Sequence, residues 1–160
     1  MNDVARLRWH NITHETIVFQ REKTKRTKKD SAVKIVALRN KHINTIIERW
    51  GKKDFGNSNT FVFSIIDEYD NAELVRKKIQ QFIHVINHWM KKMGEYLEFD
   101  LKLTTYVARH SYATILVRSG APLALACQTL GHSNITTTQK YFAGFDLDTQ
   151  ANYTKALTDF

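Results

Sequence analysis

Three short segments in the last third of the chain bring together residue types able to handle anions and protons. They are Tyr106-Val107-Ala108-Arg109-His110-Ser111-Tyr112-Ala113-Thr114, Leu130-Gly131-His132-Ser133 and Thr136-Thr137-Thr138-Gln139-Lys140-Tyr141. A guanidinium such as that of Arg109 grips an oxyanion through a rigid fork of N–H donors. An imidazole such as that of His132 titrates near neutrality and can move a proton, whereas an unperturbed phenol, at a pKa of about 10, seldom ionises unaided. Taken singly, each has an ordinary structural reading: a helix arginine in a surface ion pair, a Gly-His pair ending an apolar helix, a tyrosine packed in a core. His84 and His88 stand four apart, a spacing that suits a metal on one helical face. No third ligand lies near them in sequence, so no metal site is expected.

The elements that must position these residues are mostly helices. A helix over about 105–119, stopped by Gly120, carries Tyr106 and Arg109. Pro122 to Leu130 reads as a second helix with proline in its first turn, and it delivers Gly131 and His132 at its end. Ser133 would cap a third helix running through Tyr141, and an amphipathic segment follows from Asp148 to about Leu157. Upstream, Met1 to Arg8 reads as the tail of a helix. Thr16-Ile17-Val18-Phe19 and Ala32-Val33-Lys34-Ile35-Val36 are β-rich runs that suggest a hairpin. Ile43, Ile46, Ile47 and Trp50 place a helix over 41–50 with Gly51 as its stop. Asn57-Ser58-Asn59 marks a loop before the apolar run Phe61-Val62-Phe63. Asp70 is the expected cap of a long helix to about Leu97, whose Ala72, Val75, Ile79, Phe82, Ile83, Ile86, Met90, Met93 and Leu97 keep the three-and-four rhythm of a core helix. The expected fold class is therefore mostly α with a small antiparallel β-sheet, an α+β arrangement.

The chain has 160 residues, room for one compact domain over 1–160, and its 42% hydrophobic and 25% charged residues match ordinary globular usage. The single cysteine, Cys127, excludes an internal disulfide and fits a reducing, cytoplasmic setting. No apolar run approaches the ~18 residues that a membrane span needs. The net charge of +8 is unevenly placed: residues 1–60 hold fourteen Lys/Arg and six Asp/Glu, while residues 61–160 hold ten of each. The densest stretch runs from Arg21 to Lys29, with Arg21, Lys23, Lys25, Arg26, Lys28 and Lys29 lying between the two β-rich runs. A patch of this kind calls for a polyanion, and nucleic acid is favoured over a membrane because no apolar helical face accompanies it.

In their order and spacing, the three segments from Tyr106 to Tyr141 resemble the active-site signature of the tyrosine recombinases, the phage integrase family of site-specific DNA recombinases. The resemblance extends over nearly the whole chain as that family's catalytic domain, and it is nearest to integrases of bacterial mobile elements. It implies that Tyr141 is the nucleophile, forming a 3′-phosphotyrosyl bond and releasing a 5′-hydroxyl. Arg109 would hold the non-bridging oxygens, and His132 would donate to them or handle the tyrosine proton. The family's general acid, a lysine on a β-hairpin turn, corresponds to Lys23, with Lys25 as the alternative. The remaining cations of the turn, Arg21, Arg26, Lys28 and Lys29, together with Lys25, would meet DNA phosphates. Covalent capture retains the energy of the broken phosphodiester, so the mechanism requires no metal, ATP or other cofactor. The implied partners are double-stranded DNA and further copies of the chain, as a tetramer on DNA.

Two departures from the family pattern stand out. Tyr106 occupies a position where family members often have histidine, and its hydroxyl can donate a hydrogen bond but not act as an acid near neutrality. The family's first catalytic arginine precedes by three residues an acidic residue that resembles Asp3, which puts it upstream of Met1. Arg6 and Arg8 are then surface or DNA-backbone contacts. With the N-terminal core-binding domain also absent, the chain is expected to be a partial catalytic domain that folds, binds DNA weakly and recombines poorly. The tail, with Tyr153, Leu157 and Phe160 on its apolar side, would pack on a neighbouring protomer or on its own domain. Two competing readings are a non-catalytic regulator using helices 122–130 and 134–141 as a helix-turn-helix, and a type IB topoisomerase-like strand cleaver.

Overall fold

The structure, a computed structural model, describes residues 1–22, 34–53, 56–132, 134–139, 144 and 147–155, with the backbone alone at 149, 152 and 153. The chain forms two compact units, Met1–Thr105 and Tyr106–Phe160. Among the described residues the architecture is mostly helical with one small antiparallel sheet.

In the first unit the two β-branched runs pair. β1 (Thr16–Gln20) and β2 (Lys34–Leu38) form a two-stranded antiparallel sheet in which Thr16 faces Leu38 and Gln20 faces Lys34. The second strand runs two residues beyond its expected end, and residues 32–33 at its expected start lie outside those described. A two-stranded ribbon is marginal alone. Here it is held by a bridge from Ile12 to Ile17 and by Arg39, whose backbone N–H donates to the Glu15 carbonyl at 2.8 Å and whose guanidinium donates to the Thr13 carbonyl and to Asn44 Oδ1.

The opening helix is shorter than its sequence suggests. α1 spans only Asn2–Ala5, because Leu7 and Trp9 leave it to pair with a distant segment: the Val62 N–H donates to the Leu7 carbonyl at 2.8 Å and the Trp9 N–H to the Thr60 carbonyl at 3.1 Å. Tertiary pairing overrides the local rhythm. Arg8 is occupied within this unit, donating to the Asn59 carbonyl, lying 3.6 Å from Glu68 and stacking 4.0 Å over the Phe61 ring. Arg21 lies 4.0 Å from Asp3, whose other oxygen accepts the Glu22 N–H at 3.0 Å. Asp3 thus fastens the chain where it leaves β1.

α2 (Lys41–Trp50) begins on Asn40, whose side chain accepts the Ile43 N–H at 3.0 Å. It ends at Gly51, where a Cβ would fall 2.4 Å from the Ile47 carbonyl oxygen. α3 (Ala72–Tyr96) is capped by Asn71 rather than Asp70: the Asn71 side chain accepts the Leu74 N–H at 2.9 Å. Asp70 is engaged elsewhere. Its carboxylate accepts Lys78 Nζ at 2.8 Å and the Asp67 N–H at 2.7 Å, while Asp67 accepts from Lys52 and Lys78, each at 3.3 Å. The hydrogen bond from Lys78 holds Asp70 below the ordinary carboxylate value of 3.8, those from Lys52 and Lys78 do the same for Asp67, and Asp70 in turn raises Lys78.

Two apolar clusters fill this unit. Ala5, Phe61, Ile66, Val75 and Ile79 join α1, the 61–66 segment and α3, and Leu7, Ile47 and Val62 join the first turn to α2. The apolar rhythm of α3 runs past what the fold buries: Val75, Ile79 and Gly94 are buried, but Met93 and Leu97 are exposed. Gly94 is small because Leu103 packs on it, a Cβ there lying 3.2 Å from Leu103 Cγ. A groove of about 1220 Å³ opens beside α3 among Val4, Ile46, Trp50, Phe63, Phe82 and His84. Among the described residues no cluster of three potential metal ligands occurs, and no helix is long and apolar enough to cross a membrane.

Downstream, α4 (Thr105–Arg118) starts with the Thr105 N–H donating to Asn87 Oδ1 at 2.9 Å. The second unit then contains the rest of α4, α5 (Leu123–Thr129), α6 (Ile135–Gln139) and α7 (Leu147–Lys155), close to the expected helices. Ser133, Leu157 and Phe160 lie outside the described residues, as does the Tyr153 side chain.

Candidate active site

The second unit is built so that two sequence-distant side chains meet. On α4, Arg109, Ala113 and Val117 are four apart and therefore share one helix face, and Ala113 and Val117 are buried. Arg109 is thus turned toward the interior of its unit.

His132 is aimed by the end of α5. The Gly131 N–H donates to the Gln128 carbonyl at 3.0 Å and the His132 N–H to the Cys127 carbonyl at 2.9 Å, with Gly131 at φ 62°. That pair of bonds is the Schellman closure, which needs a left-handed residue where glycine carries no steric penalty. Cys127 Sγ lies 3.2 Å from the His132 carbonyl oxygen and donates to it, so the backbone of residue 132 is tied to Cys127 in both directions. Gly120, at φ 84°, closes α4 in the same way through the Val117 and Leu116 carbonyls.

The geometry at the junction is tight. Arg109 Nη2 donates to the Leu130 carbonyl at 2.6 Å and lies 2.7 Å from His132 Nε2. On the other side of the imidazole, His132 Nδ1 lies 2.8 Å from Thr138 Oγ1. Thr138 sits on α6, whose start is held by Asn134, its side chain accepting the Thr136 N–H at 2.9 Å. Thr138 is 0% exposed, the one buried polar residue among those described.

Of the residues singled out in the sequence, Arg109 and His132 are brought into hydrogen-bonding distance. Tyr106, three residues before Arg109, is exposed and stands edge-on to His110 with ring centroids 4.4 Å apart. Arg21 is placed in the first unit, against Asp3. Lys23, Lys25, Arg26, Lys28, Lys29 and Tyr141 lie outside the described residues. Thr138 is the neighbour of His132 that sequence reasoning missed. Its signal was a spacing of six residues from His132 across a turn, within a run of three threonines in which nothing marks the one that faces inward.

Arg109 is thus held against the His132 imidazole, and Tyr141 stands nine residues beyond the histidine in sequence. The sequence model of the phage integrase family matches residues 1–146, a span that includes Arg109, His132 and Tyr141. The chain belongs to this family. Tyrosine recombinase XerD of Halalkalibacterium halodurans is 32% identical over 81 residues, which cover 44% of this chain and 27% of that protein. Tyrosine recombinase XerC of Shewanella oneidensis is 36% identical over 73 residues, 45% of this chain and 24% of that protein. In fold, the chain is similar to the crystal structure of XerA recombinase, with a TM-score of 0.59 at 18% identity, covering 96% of this chain and 52% of that one. It is also similar to the Tn1549 transposon integrase solved in complex with circular intermediate DNA, with a TM-score of 0.62 at 17% identity, covering 98% of this chain and 55% of that one. The chain thus spans about half the length of these solved relatives, and the matched segments about a quarter of the curated ones.

Proposed function

We propose that residues 1–160 form the catalytic domain of a site-specific DNA recombinase of the integrase type, which cleaves and rejoins DNA strands through a 3′-phosphotyrosyl intermediate. The observation that carries this reading is the 2.7 Å approach of Arg109 Nη2 to His132 Nε2, inside a chain that belongs to the phage integrase family. A phosphodiester under attack gathers negative charge on its non-bridging oxygens, and a preorganised guanidinium is the group that stabilises it. In this reading Arg109 holds those oxygens and His132 works beside it. Tyr141 attacks phosphorus, Lys23 or Lys25 protonates the leaving 5′-oxygen, and Tyr106 contributes a hydrogen bond. Arg21, Arg26, Lys28 and Lys29 meet the DNA backbone along with Lys25. Partner DNA is double-stranded, the working assembly is a tetramer on it, and the setting is cytoplasmic.

The reading is tested with the intact protein, paired recombination sites and a supercoiled plasmid carrying neither site. Exchange of strands between sites, with covalent protein–DNA adduct, is the expected result. Relaxation of the plasmid without exchange would replace recombination by topoisomerase-like cleavage. Binding without any adduct would reduce the protein to a regulator.

A further inference from the structure

We propose that Thr138 is a positioning residue for His132: its buried hydroxyl holds the imidazole in the tautomer with hydrogen on Nδ1, so that Nε2 meets the reacting groups as a proton acceptor. The proposal rests on the reading of His132 as part of the active site.

The argument starts from what arginine cannot do. A guanidinium has five N–H donors and no acceptor, so the 2.7 Å contact between Arg109 Nη2 and His132 Nε2 has one sense, with Nε2 accepting. A neutral imidazole that accepts at Nε2 carries its hydrogen on Nδ1. Nδ1 lies 2.8 Å from Thr138 Oγ1, and that bond also has one sense: Nδ1–H donates and the threonine oxygen accepts. An imidazolium would point a second N–H at the guanidinium, and the opposite tautomer would do the same. The two contacts together fit one form of the ring.

The surroundings make that form persistent. Rotating the ring by half a turn about χ2 would bring carbon to both positions now held by nitrogen and break both bonds. The backbone at 132 cannot follow, because its N–H and carbonyl are both engaged by Cys127. Thr138 is fully buried, so its oxygen has no water to replace a missing donor.

The consequence is a division of labour between the two nitrogens. When a phosphate takes the guanidinium fork, Nε2 presents a lone pair. The phenolic proton of Tyr141 passes to Nε2, the phenolic oxygen bonds to phosphorus, and the P–O5′ bond breaks with its electron pair going to O5′, which takes a proton from the turn lysine. The imidazolium so formed still donates Nδ1–H to Thr138, which accepts in either protonation state.

Nitrogen NMR of intact protein labelled at histidine tests this directly, with His132→Asn assigning the signal. Wild type and Thr138→Ser should show hydrogen on Nδ1, and Thr138→Val should lose that preference. Adduct formation on a nicked duplex should fall roughly ten- to a hundredfold in Thr138→Val and stay within about threefold of wild type in Thr138→Ser, the cost of leaving Nδ1–H without its acceptor. Hydrogen on Nε2 in the wild type, or a Thr138→Val adduct rate equal to wild type, would overturn the proposal. If Thr138→Val does not fold, the wild-type and serine spectra decide. A wild type that forms no adduct yet shows the Nδ1–H signal, abolished by Thr138→Val, would sink the enzymatic reading and leave the positioning role standing.

Discussion

Replacing Arg109 by lysine keeps the charge and removes the fork. In the structure Nη2 alone makes two hydrogen bonds, 2.6 Å to the Leu130 carbonyl and 2.7 Å to His132 Nε2. Nε and Nη1 carry three further N–H groups between them, the donors that would meet an anion. Arginine can therefore brace the turn while its fork holds the imidazole before substrate binds and passes to the phosphate afterwards, which frees Nε2. A lysine Nζ is one point on a flexible stem, and it cannot reach all three. If two charge-assisted bonds are missing at the transition state, at about 1.5–3 kcal/mol each, the barrier rises by about 3–6 kcal/mol, or roughly 10²–10⁴ in rate. The assay is single-turnover adduct formation on a nicked duplex at saturating protein, with duplex affinity measured beside it. Arg109→Lys should lose adduct rate on that scale while affinity, which depends on retained charge, changes little. An adduct rate for Arg109→Lys within about threefold of wild type would refute the reasoning.

Further predictions concern the first unit and its basic segment. Asn71→Ala removes the cap of α3 and should cost about 1 kcal/mol, lowering the thermal midpoint by a few degrees by circular dichroism; an unchanged midpoint would show that the cap is not limiting. Asp67 and Asp70 are held below their ordinary 3.8 by hydrogen bonds from Lys52 and Lys78. The stability they contribute is therefore complete above about pH 3.8 and disappears as pH falls through their lower folded values. Lys78, raised above 10.5, contributes below that value and stops contributing as pH climbs through its folded value. Thermal midpoints of wild type should drop on acidification more steeply than those of Asp70→Asn, and superimposable pH profiles would contradict this. Changing Lys25, Arg26, Lys28 and Lys29 to alanine together should flatten the log–log salt dependence of DNA affinity by about 0.9 for each phosphate that is no longer neutralised. An unaltered slope would remove the segment from the interface.

The meeting of Arg109 and His132 was legible because their positioning depends on local signals. Gly120 and Gly131 follow apolar helical runs, and both close their helices through left-handed turns. The order of arginine, Gly-His and tyrosine carried the family resemblance. What escaped were choices between equivalent neighbours. Asp70 and Asn71 are both good caps, and Lys78, eight residues from Asp70, takes the aspartate and leaves the asparagine to the helix. Met93 and Leu97 keep the apolar rhythm of α3 but lie beyond the 61–66 segment that covers Val75 and Ile79, so periodicity alone overstates the core. Residues 6–8 satisfy a helical spacing, yet the Leu7 carbonyl accepts from the Val62 N–H and the Trp9 N–H donates to the Thr60 carbonyl. Among Thr136, Thr137 and Thr138, nothing in the sequence marks the one whose hydroxyl lies 2.8 Å from His132 Nδ1.

The central claim is that Tyr141 becomes covalently joined to DNA. Trapping the intact protein on a nicked duplex, digesting the complex and sequencing the DNA-linked peptide by mass spectrometry tests it, with Tyr141→Phe run alongside. A 3′-phosphoryl linkage on the peptide containing Tyr141, absent from Tyr141→Phe although that variant still binds the duplex, is the predicted result. A linkage at another residue, or an undiminished adduct in Tyr141→Phe, would contradict it.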